Sequence, residues 1–285
     1  EAWFSGSETA DALENLGAKL KLGPDYLENL DQDVLFRTPG LMPFDEHLEA
    51  AKKRGSLLTS EMEVFFDLCP CKIYAVTGSD GKSTSTTLIA EILAAHGKTV
   101  HKGGNIGRAL LPIIEQIHED DAAVVELSSF QLWDMDAPPA VSVILRLEPD
   151  HLDVHESYAE YLQAKQNIVN FQTENDFCIY FKDNKDTVSL AQNSPAQKLT
   201  YPCSSDEQSA EASCAKIRTK IDELLDNLTV PGAHNREDAE AALLAGTAGA
   251  ENTTYTVDIN KVDNARVYQL LGNGMEGYQV GPTNL

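Results

Sequence analysis

Two rhythms of apolar and polar residues alternate along this chain: short β-branched runs, and longer stretches with helical spacing. Residues 73–77 (IYAVT) have the apolar, β-rich character of a buried strand. Leu88, Ile89, Ile92 and Leu93 then recur at helical spacing, and Gly97 is placed to stop the helix. Further strand-like runs at 122–127, 141–147 and 177–181 are separated by segments long enough for crossover helices. That order predicts an α/β fold, a central domain with a mainly parallel sheet flanked by helices. Residues up to 68 read as a smaller α/β unit, with a strand at 34–36, the turn Thr38-Pro39-Gly40, a helix at 48–53 and a return toward a strand at 55–58. The polar stretch 183–209 predicts a long loop or an insertion, and Ile217, Ile221, Leu224, Leu225 and Leu228 predict an amphipathic helix. Past residue 247 the pattern decays. The expected divisions are therefore 1–68, a central domain at 69–248, and an unassigned tail at 249–285.

The junction of the 73–77 strand with the helix after it reads TGSDGKST and carries Gly78, Ser79, Asp80, Gly81, Lys82, Ser83 and Thr84. Glycines let backbone N–H groups approach phosphate oxygens, and the helix N-terminus adds free donors and partial positive charge. Lys82 supplies a full charge, and a hydroxyl is placed to reach Mg²⁺. The common phosphate loop has four residues between its glycines. Here Ser79 and Asp80 alone stand there, a shortened variant. The plain alternative is an ordinary strand–turn–helix junction with a surface lysine.

Composition narrows the classes. The net charge is −23, from 22 basic and 45 acidic residues, with the basic ones scattered. Such a chain has no basic stripe for a nucleic-acid backbone. No apolar run approaches the ~18 residues of a membrane span, so no membrane partner is expected. The five cysteines are irregularly spaced, against a disulfide framework and in favour of a reducing cytoplasm. Cys69-Pro70-Cys71 is a conceivable metal pair, but no second Cys/His pair stands at zinc spacing. A monomer is expected. The chain begins at Glu1 rather than Met, which suggests a fragment or a processed chain.

Other candidates lie where strands end, the place at which open α/β sheets collect ligands. Glu126 closes the run before Ser128 and Ser129 and is either a metal ligand or a solvated strand-end carboxylate. In KGGNIGRAL (102–110), Asn105 stands between glycines, and a helix is expected to open at Arg108. The segment EPDHLDVH offers His151, Asp153 and His155, either as ligands or as exposed turn residues. Lys165 falls on the apolar stripe of SYAEYLQAKQNIVNF. A buried ammonium is penalised, so it either becomes a neutral amine, able to take up CO₂ as a carbamate, or finds a partner; the plain alternative is that it snorkels to water.

Taken together, TGSDGKST, GGNIG, ELSSFQL, DHLDVH, Ala164-Lys165 and GAHN (232–235) resemble the Mur ligase family of peptidoglycan precursor synthesis, and its D-glutamate-adding branch in particular. RTPG, SEMEVFF and CPCKIYAVTGSDGK resemble clostridial-type members. The resemblance implies an ADP-forming amide ligase that uses ATP and Mg²⁺ to join D-glutamate to UDP-N-acetylmuramoyl-L-alanine through an acyl phosphate. It also implies that residues 1–68 are a partial Rossmann-like domain for the UDP substrate. By position, Lys82 would clamp the phosphates, Ser83 and Glu126 would hold one Mg²⁺, and His151 with carbamylated Lys165 would serve a second. Asn105, Ser128 and Gln131 would touch the UDP-sugar, Gly40 the uridine diphosphate, and Asn235 the adenine. The pattern is incomplete: Asp238 stands where the family usually has a second asparagine in H-N-x-x-N, no glycine-rich loop opens the chain, and residues past 250 do not resemble the third domain. The chain thus reads as a partial enzyme. A nucleotide-binding remnant, another ligase of the Mur or folylpolyglutamate-synthase type, and an unrelated P-loop kinase are the alternatives.

Overall fold

A computed structural model describes residues 8–202 and 233–248. The chain divides into two compact units, Glu1–Ser60 and Glu61–Leu285. The first holds α1 (Glu8–Asn15), β1 (Val34–Arg37), α2 (Glu46–Arg54) and β2 (Leu57–Ser60), with β1 and β2 paired in parallel. The sequence explains the limits of α2. The Asp45 carboxylate accepts from His47 N at 2.9 Å, and Gly55 turns the chain out. Glu46 and Glu49 lie in the first turn, and Lys52, Lys53 and Arg54 in the last, so each end carries the charge its dipole favours.

The second unit runs α3 (Glu61–Leu68), β3 (Lys72–Thr77), α4 (Lys82–Ala95), β4 (Val100–Gly104), a 3-10 segment (Leu111–Gln116), β5 (Ala122–Glu126) and α5 (Ser129–Leu132). It continues with β6 (Val141–Ile144), α6 (Tyr158–Asn170), β7 (Phe177–Phe181), α7 (Lys185–Gln192), β8 (Gln197–Tyr201) and α8 (Ala233–Ala248). The six strands are all parallel in the order β4-β5-β3-β6-β7-β8. The chain leaves β3 for the β4 edge and returns through β5 before crossing to β6. The direction of winding therefore reverses beside β3, and the crevice at its carboxyl end is the expected ligand position.

Alternation along each strand sends neighbours to opposite cores. Tyr74, Val76 and Val124 face Leu88, Ile89 and Ile92 of α4 and Ala241, Ala242 and Ala245 of α8. Ile73, Ala75 and Val125 face Met62 and Phe65 of α3, Ile168 of α6 and Leu190 of α7. Burial on both faces is why these strands read as continuous apolar runs. Small residues bring α8 close to α4: a Cβ added at Gly246 would come within 2.7 Å of Ile92 Cγ2.

Several expectations need correction. The predicted loop at 183–209 contains α7 and β8. Asn184 caps α7 by accepting from Asp186 N and Thr187 N, and β8 is an edge strand whose exposed Gln197 and Lys198 disguise it. No helix opens at Arg108. The KGG of that segment ends β4, a strand hidden by its polar residues, of which His101 is buried and bonded to Asp121 at 2.9 Å. The units part after Ser60, which assigns α3 to the one that holds the six-stranded sheet. The predicted helix at 217–228 and the tail at 249–285 lie outside the described residues. Among the described residues no helix is long and apolar enough to cross a membrane.

Candidate functional site

The phosphate-loop candidates occupy the reversal point. β3 ends at Thr77, and residues 78–81 turn the chain into α4, whose first residue is Lys82. Gly81 caps α4 with φ 77°, a left-handed conformation that suits glycine. Glycine is required there for a second reason, because a Cβ would overlap the Asp238 carboxylate. Ser79 fixes the loop to the β6 exit: its hydroxyl donates to Glu148 O at 2.8 Å, accepts from Glu148 N at 2.9 Å and lies 2.9 Å from the Tyr161 hydroxyl. Asp80 is exposed and Thr84 half-buried in the first turn of α4. The Lys82 ammonium lies over the loop, donating to Ser79 O at 2.7 Å and Gly78 O at 3.1 Å.

Glu126, at the end of β5, is the hub. Its side chain accepts from Ser83 Oγ at 2.6 Å and from Asn105 Nδ2 at 2.9 Å. Asn105 is held a second time by its backbone N–H on Glu126 O at 2.8 Å. Gly104, with φ 92°, makes this approach possible, since any Cβ there would strike the Glu126 carbonyl. Glu126 is buried, so of its two sequence readings the solvated strand-end carboxylate is set aside. A carboxylate and a hydroxyl this close are a suitable oxygen pair for a hard cation such as Mg²⁺, which is usually held by one or two protein carboxylates plus phosphate oxygens and water. Among the described residues no group of three or more His, Cys, Asp or Glu side chains is gathered for a metal.

Lys165 is buried to its tip, which sets the snorkelling alternative aside. Its Nζ donates to Thr77 Oγ1 at 3.1 Å and Gly78 O at 3.0 Å, and lies 4.7 Å from the centre of the Tyr161 ring. Burial lowers its pKa to about 7, with the Lys82 charge adding to the effect and Asp150 and Glu126 opposing it. A large fraction of the side chain is therefore neutral amine near neutral pH.

The remaining candidates are less tightly joined to this centre. His151, with φ 52°, is exposed, 3.5 Å from the Asp150 carboxylate and packed on the Phe130 ring. The neighbouring His155 is the buried one, stacked on Trp133 and bonded to Ser129 Oγ at 2.9 Å. Ser128 and Gln131 bond to each other as the capping box of α5, with Ser128 N donating to Gln131 Oε1 at 3.0 Å. Asn235 is buried with its Nδ2 free of any hydrogen-bond partner, as a donor reserved for a ligand would be. Gly40, in the first unit, is exposed in a turn closed by Leu41 N on Thr38 O at 3.0 Å and braced by the Arg37 guanidinium on Leu41 O at 2.9 Å.

Sequence reasoning missed two members. Tyr161 was legible only as part of an apolar stripe, yet it touches both Ser79 and Lys165. Asp238 was legible as an altered adenine-side residue but not as a neighbour of the phosphate loop. Burial raises the Asp238 carboxyl to about 7, against the pull of the Ser85 hydroxyl and with the charges of Glu237 and Asp80 adding to the effect. Its folded form thus keeps a proton that the unfolded chain has already released, so stability falls as pH rises from about 4 to about 7. Asp238→Asn is expected to remove that fall. It should leave the urea midpoint near that of the wild type at pH 4 and above it at pH 8. It should also tighten Mg-ATP about tenfold at pH 8, roughly 1.4 kcal/mol, by removing charge beside the loop; calorimetry at the two pH values checks both the size and the sign.

Residues 76–246 match the family model described as the Mur ligase middle domain. The UDP-N-acetylmuramoylalanine–D-glutamate ligase of Ruminiclostridium cellulolyticum is 40% identical over 247 residues, covering 84% of this chain and 53% of that protein. The Clostridium tetani protein of the same name is 44% identical over 190 residues, covering 66% of this chain and 42% of its own length. The chain thus spans about half the length of such relatives. Among solved structures, UDP-N-acetylmuramate:L-alanyl-gamma-D-glutamyl-meso-diaminopimelate ligase from Neisseria meningitides matches with a TM-score of 0.52 at 13% identity, over 98% of this chain and 88% of that one. A UDP-N-acetylmuramoyl-L-alanyl-D-glutamate–2,6-diaminopimelate ligase matches with a TM-score of 0.51 at 17% identity, over 93% of this chain and 68% of that one. Those two likenesses concern the fold. The family model and the sequence relatives go further: the chain belongs to the Mur ligase family, and its residues 76–246 are that family's middle domain.

Proposed function

We propose that this chain carries the nucleotide-handling core of an ADP-forming ligase that adds D-glutamate to UDP-N-acetylmuramoyl-L-alanine. The observation that carries the reading is the Ser83–Glu126–Asn105 constellation beside the glycine loop, at the carboxyl ends of β3 and β5. Such a reaction must hold a nucleotide triphosphate against a substrate carboxylate, and its demand is charge neutralisation and alignment. Lys82 and the N-terminal N–H groups of α4 bind the phosphates. Ser83 and Glu126 supply oxygen donors for Mg²⁺, whose charge, when it is bound, offsets that of the transferred phosphoryl group. Asn235 offers its unpaired amide to the base. Asn105, held on Glu126, meets the UDP-sugar, and Ser128 and Gln131 serve the same substrate.

Phosphorylation of the substrate carboxylate gives an acyl phosphate. The D-glutamate amine attacks its carbonyl carbon, and phosphate leaves as the amide forms. Lys165, as a neutral amine, would take up CO₂ with release of one proton to solvent, and the resulting carbamate would, with His151, hold a second Mg²⁺. Rescue of Lys165→Ala by a short carboxylic acid tests that role. On the same reading the first unit is part of the UDP-substrate domain, with the Gly40 turn at the diphosphate, and the protein works as a monomer in the cytoplasm.

The test is ADP release with UDP-N-acetylmuramoyl-L-alanine, Mg-ATP and each of several amino acids. Release that depends on the UDP substrate and on D-glutamate is the expected result, and release with another amino acid would move the chain to another Mur ligase activity. Asp238 favours a second reading, a nucleotide-binding core without turnover of its own. Calorimetry would then find Mg-ATP bound while no phosphoryl group reaches the substrate carboxylate.

A further inference from the structure

At the amino end of β3, the end opposite the phosphate loop, Cys69 and Cys71 flank Pro70 in the link from α3. Their sulfurs are 3.6 Å apart, within hydrogen-bond distance. The link is short and bends at Cys71, and Cys69 Sγ also lies 3.7 Å from Cys71 O, so this one segment holds the pair together without any other element. The two are not equivalent. Cys69 is partly exposed and Cys71 is buried against the core that includes Met62 and Phe65. We propose that Cys69 and Cys71 form a redox-sensitive dithiol that reacts with low-molecular-weight disulfides, Cys69 attacking and Cys71 resolving.

The Cys69 thiolate attacks one sulfur of a linear disulfide, forming a mixed disulfide at Cys69 and expelling one thiolate. The Cys71 thiol gives up its proton and attacks Cys69 Sγ, closing the intrachain bond and expelling the second thiolate. The protein dithiol loses two electrons, the small disulfide gains them, and the two protein protons end on the two released thiols. Closure must shorten the sulfur separation from 3.6 Å to the ~2.0 Å of a disulfide.

The surroundings support this division of labour. The hydrogen bond shared with the Cys71 sulfur lowers Cys69 to about 7, while burial, and the Asp121 carboxylate held by His101, work against it. Cys71 is raised, first by that same hydrogen bond and then by burial, so it keeps the proton until Cys69 is consumed. Cys178, fully buried and raised by burial, stays out of such exchange.

The test uses the full chain in glutathione redox buffers, quenched and alkylated before digestion. Both cysteines fall in one tryptic peptide, residues 55–72, because no Lys or Arg lies between Arg54 and Lys72. The expected result is that this peptide loses two hydrogen masses and both alkylation sites on oxidation of the folded protein. Cys71→Ser should accumulate a glutathione adduct on Cys69, whereas Cys69→Ser should leave Cys71 free to be alkylated only after denaturation. The iodoacetamide rate at Cys69 should reach half its maximum near pH 7, and Cys71→Ala should move that midpoint toward the usual thiol range. A wild-type peptide that remains doubly alkylated after equilibration with oxidised glutathione overturns the proposal, and needs no variant to fold. So does an adduct that accumulates on Cys71 instead of Cys69.

Discussion

Lys82→Ala is expected to lower Mg-ATP affinity, and with it the proposed ligase turnover, by about a thousandfold while leaving the fold intact. Lys82 is the full positive charge on the glycine loop, and the triphosphate brings several negative ones. A unit pair about 4 Å apart, at the effective dielectric of a partly exposed site, is worth roughly 4 kcal/mol, or ~10³ in an equilibrium constant. The structural role of the side chain is small, because its hydrogen bonds go to Gly78 O and Ser79 O of its own loop. Gly78 O keeps a second donor in Lys165 Nζ at 3.0 Å. The urea midpoint of the variant should therefore lie close to that of the wild type. Lys82→Arg keeps the charge but spreads it over a planar fork that does not fit a loop shaped for an ammonium, so it should recover only part of the affinity. Equal Mg-ATP affinity for wild type and Lys82→Ala in calorimetry would remove the phosphate-loop reading, and with it the proposed function.

The fold and the site were legible in the sequence to different depths. β3 and α4 stood out because a strand buried on both faces must be apolar throughout, and because a glycine turn leading to Lys-Ser-Thr has few other uses. β7 was legible for the first of those reasons. β4 was not, since His101 and Lys102 break its apolar run and the bond from His101 to Asp121 exists only once the chain is folded. The Glu126 hub was half legible: its place at a strand end was visible, but its simultaneous grip on Ser83 and Asn105 joins residues 43 and 21 positions away. His151 and His155 were indistinguishable on a polar turn, and folding separates them. One is exposed on Phe130, and the other is buried against Trp133. Lys165 was legible as an anomaly on an apolar stripe, while the choice between a wet and a dry ammonium belonged to tertiary packing alone.

That choice leads to the second large effect: Lys165→Met should make the protein more stable and abolish the proposed ligase turnover. In carbonate-free buffer below pH 7, lysine is protonated in both the folded and the unfolded chain, and the folded state bears the whole penalty of a buried ammonium. The drop from 10.5 to about 7 sets that penalty at up to about 5 kcal/mol. Between about 7 and 10.5 the unfolded chain holds a proton that the folded chain has shed, so wild-type stability climbs with pH through this window. Methionine has nearly the same length, fills the same space and has no such slope. Nor does its lack of hydrogen bonds strand a partner, because the Thr77 hydroxyl still donates to Leu127 O at 2.9 Å and Gly78 O still accepts from Lys82 at 3.1 Å. Urea titrations at pH 6, 8 and 9.5 should show the variant ahead by the largest margin at pH 6, with the margin shrinking as pH rises. Asp238 contributes a slope of opposite sign at lower pH, but it is common to both proteins and cancels in the difference. Adding bicarbonate should then stabilise the wild type alone, by mass action on the neutral amine. A methionine variant less stable than wild type at every pH would mean that Lys165 is charged and well paired, and neither the neutral amine nor the carbamate built on it would survive that result.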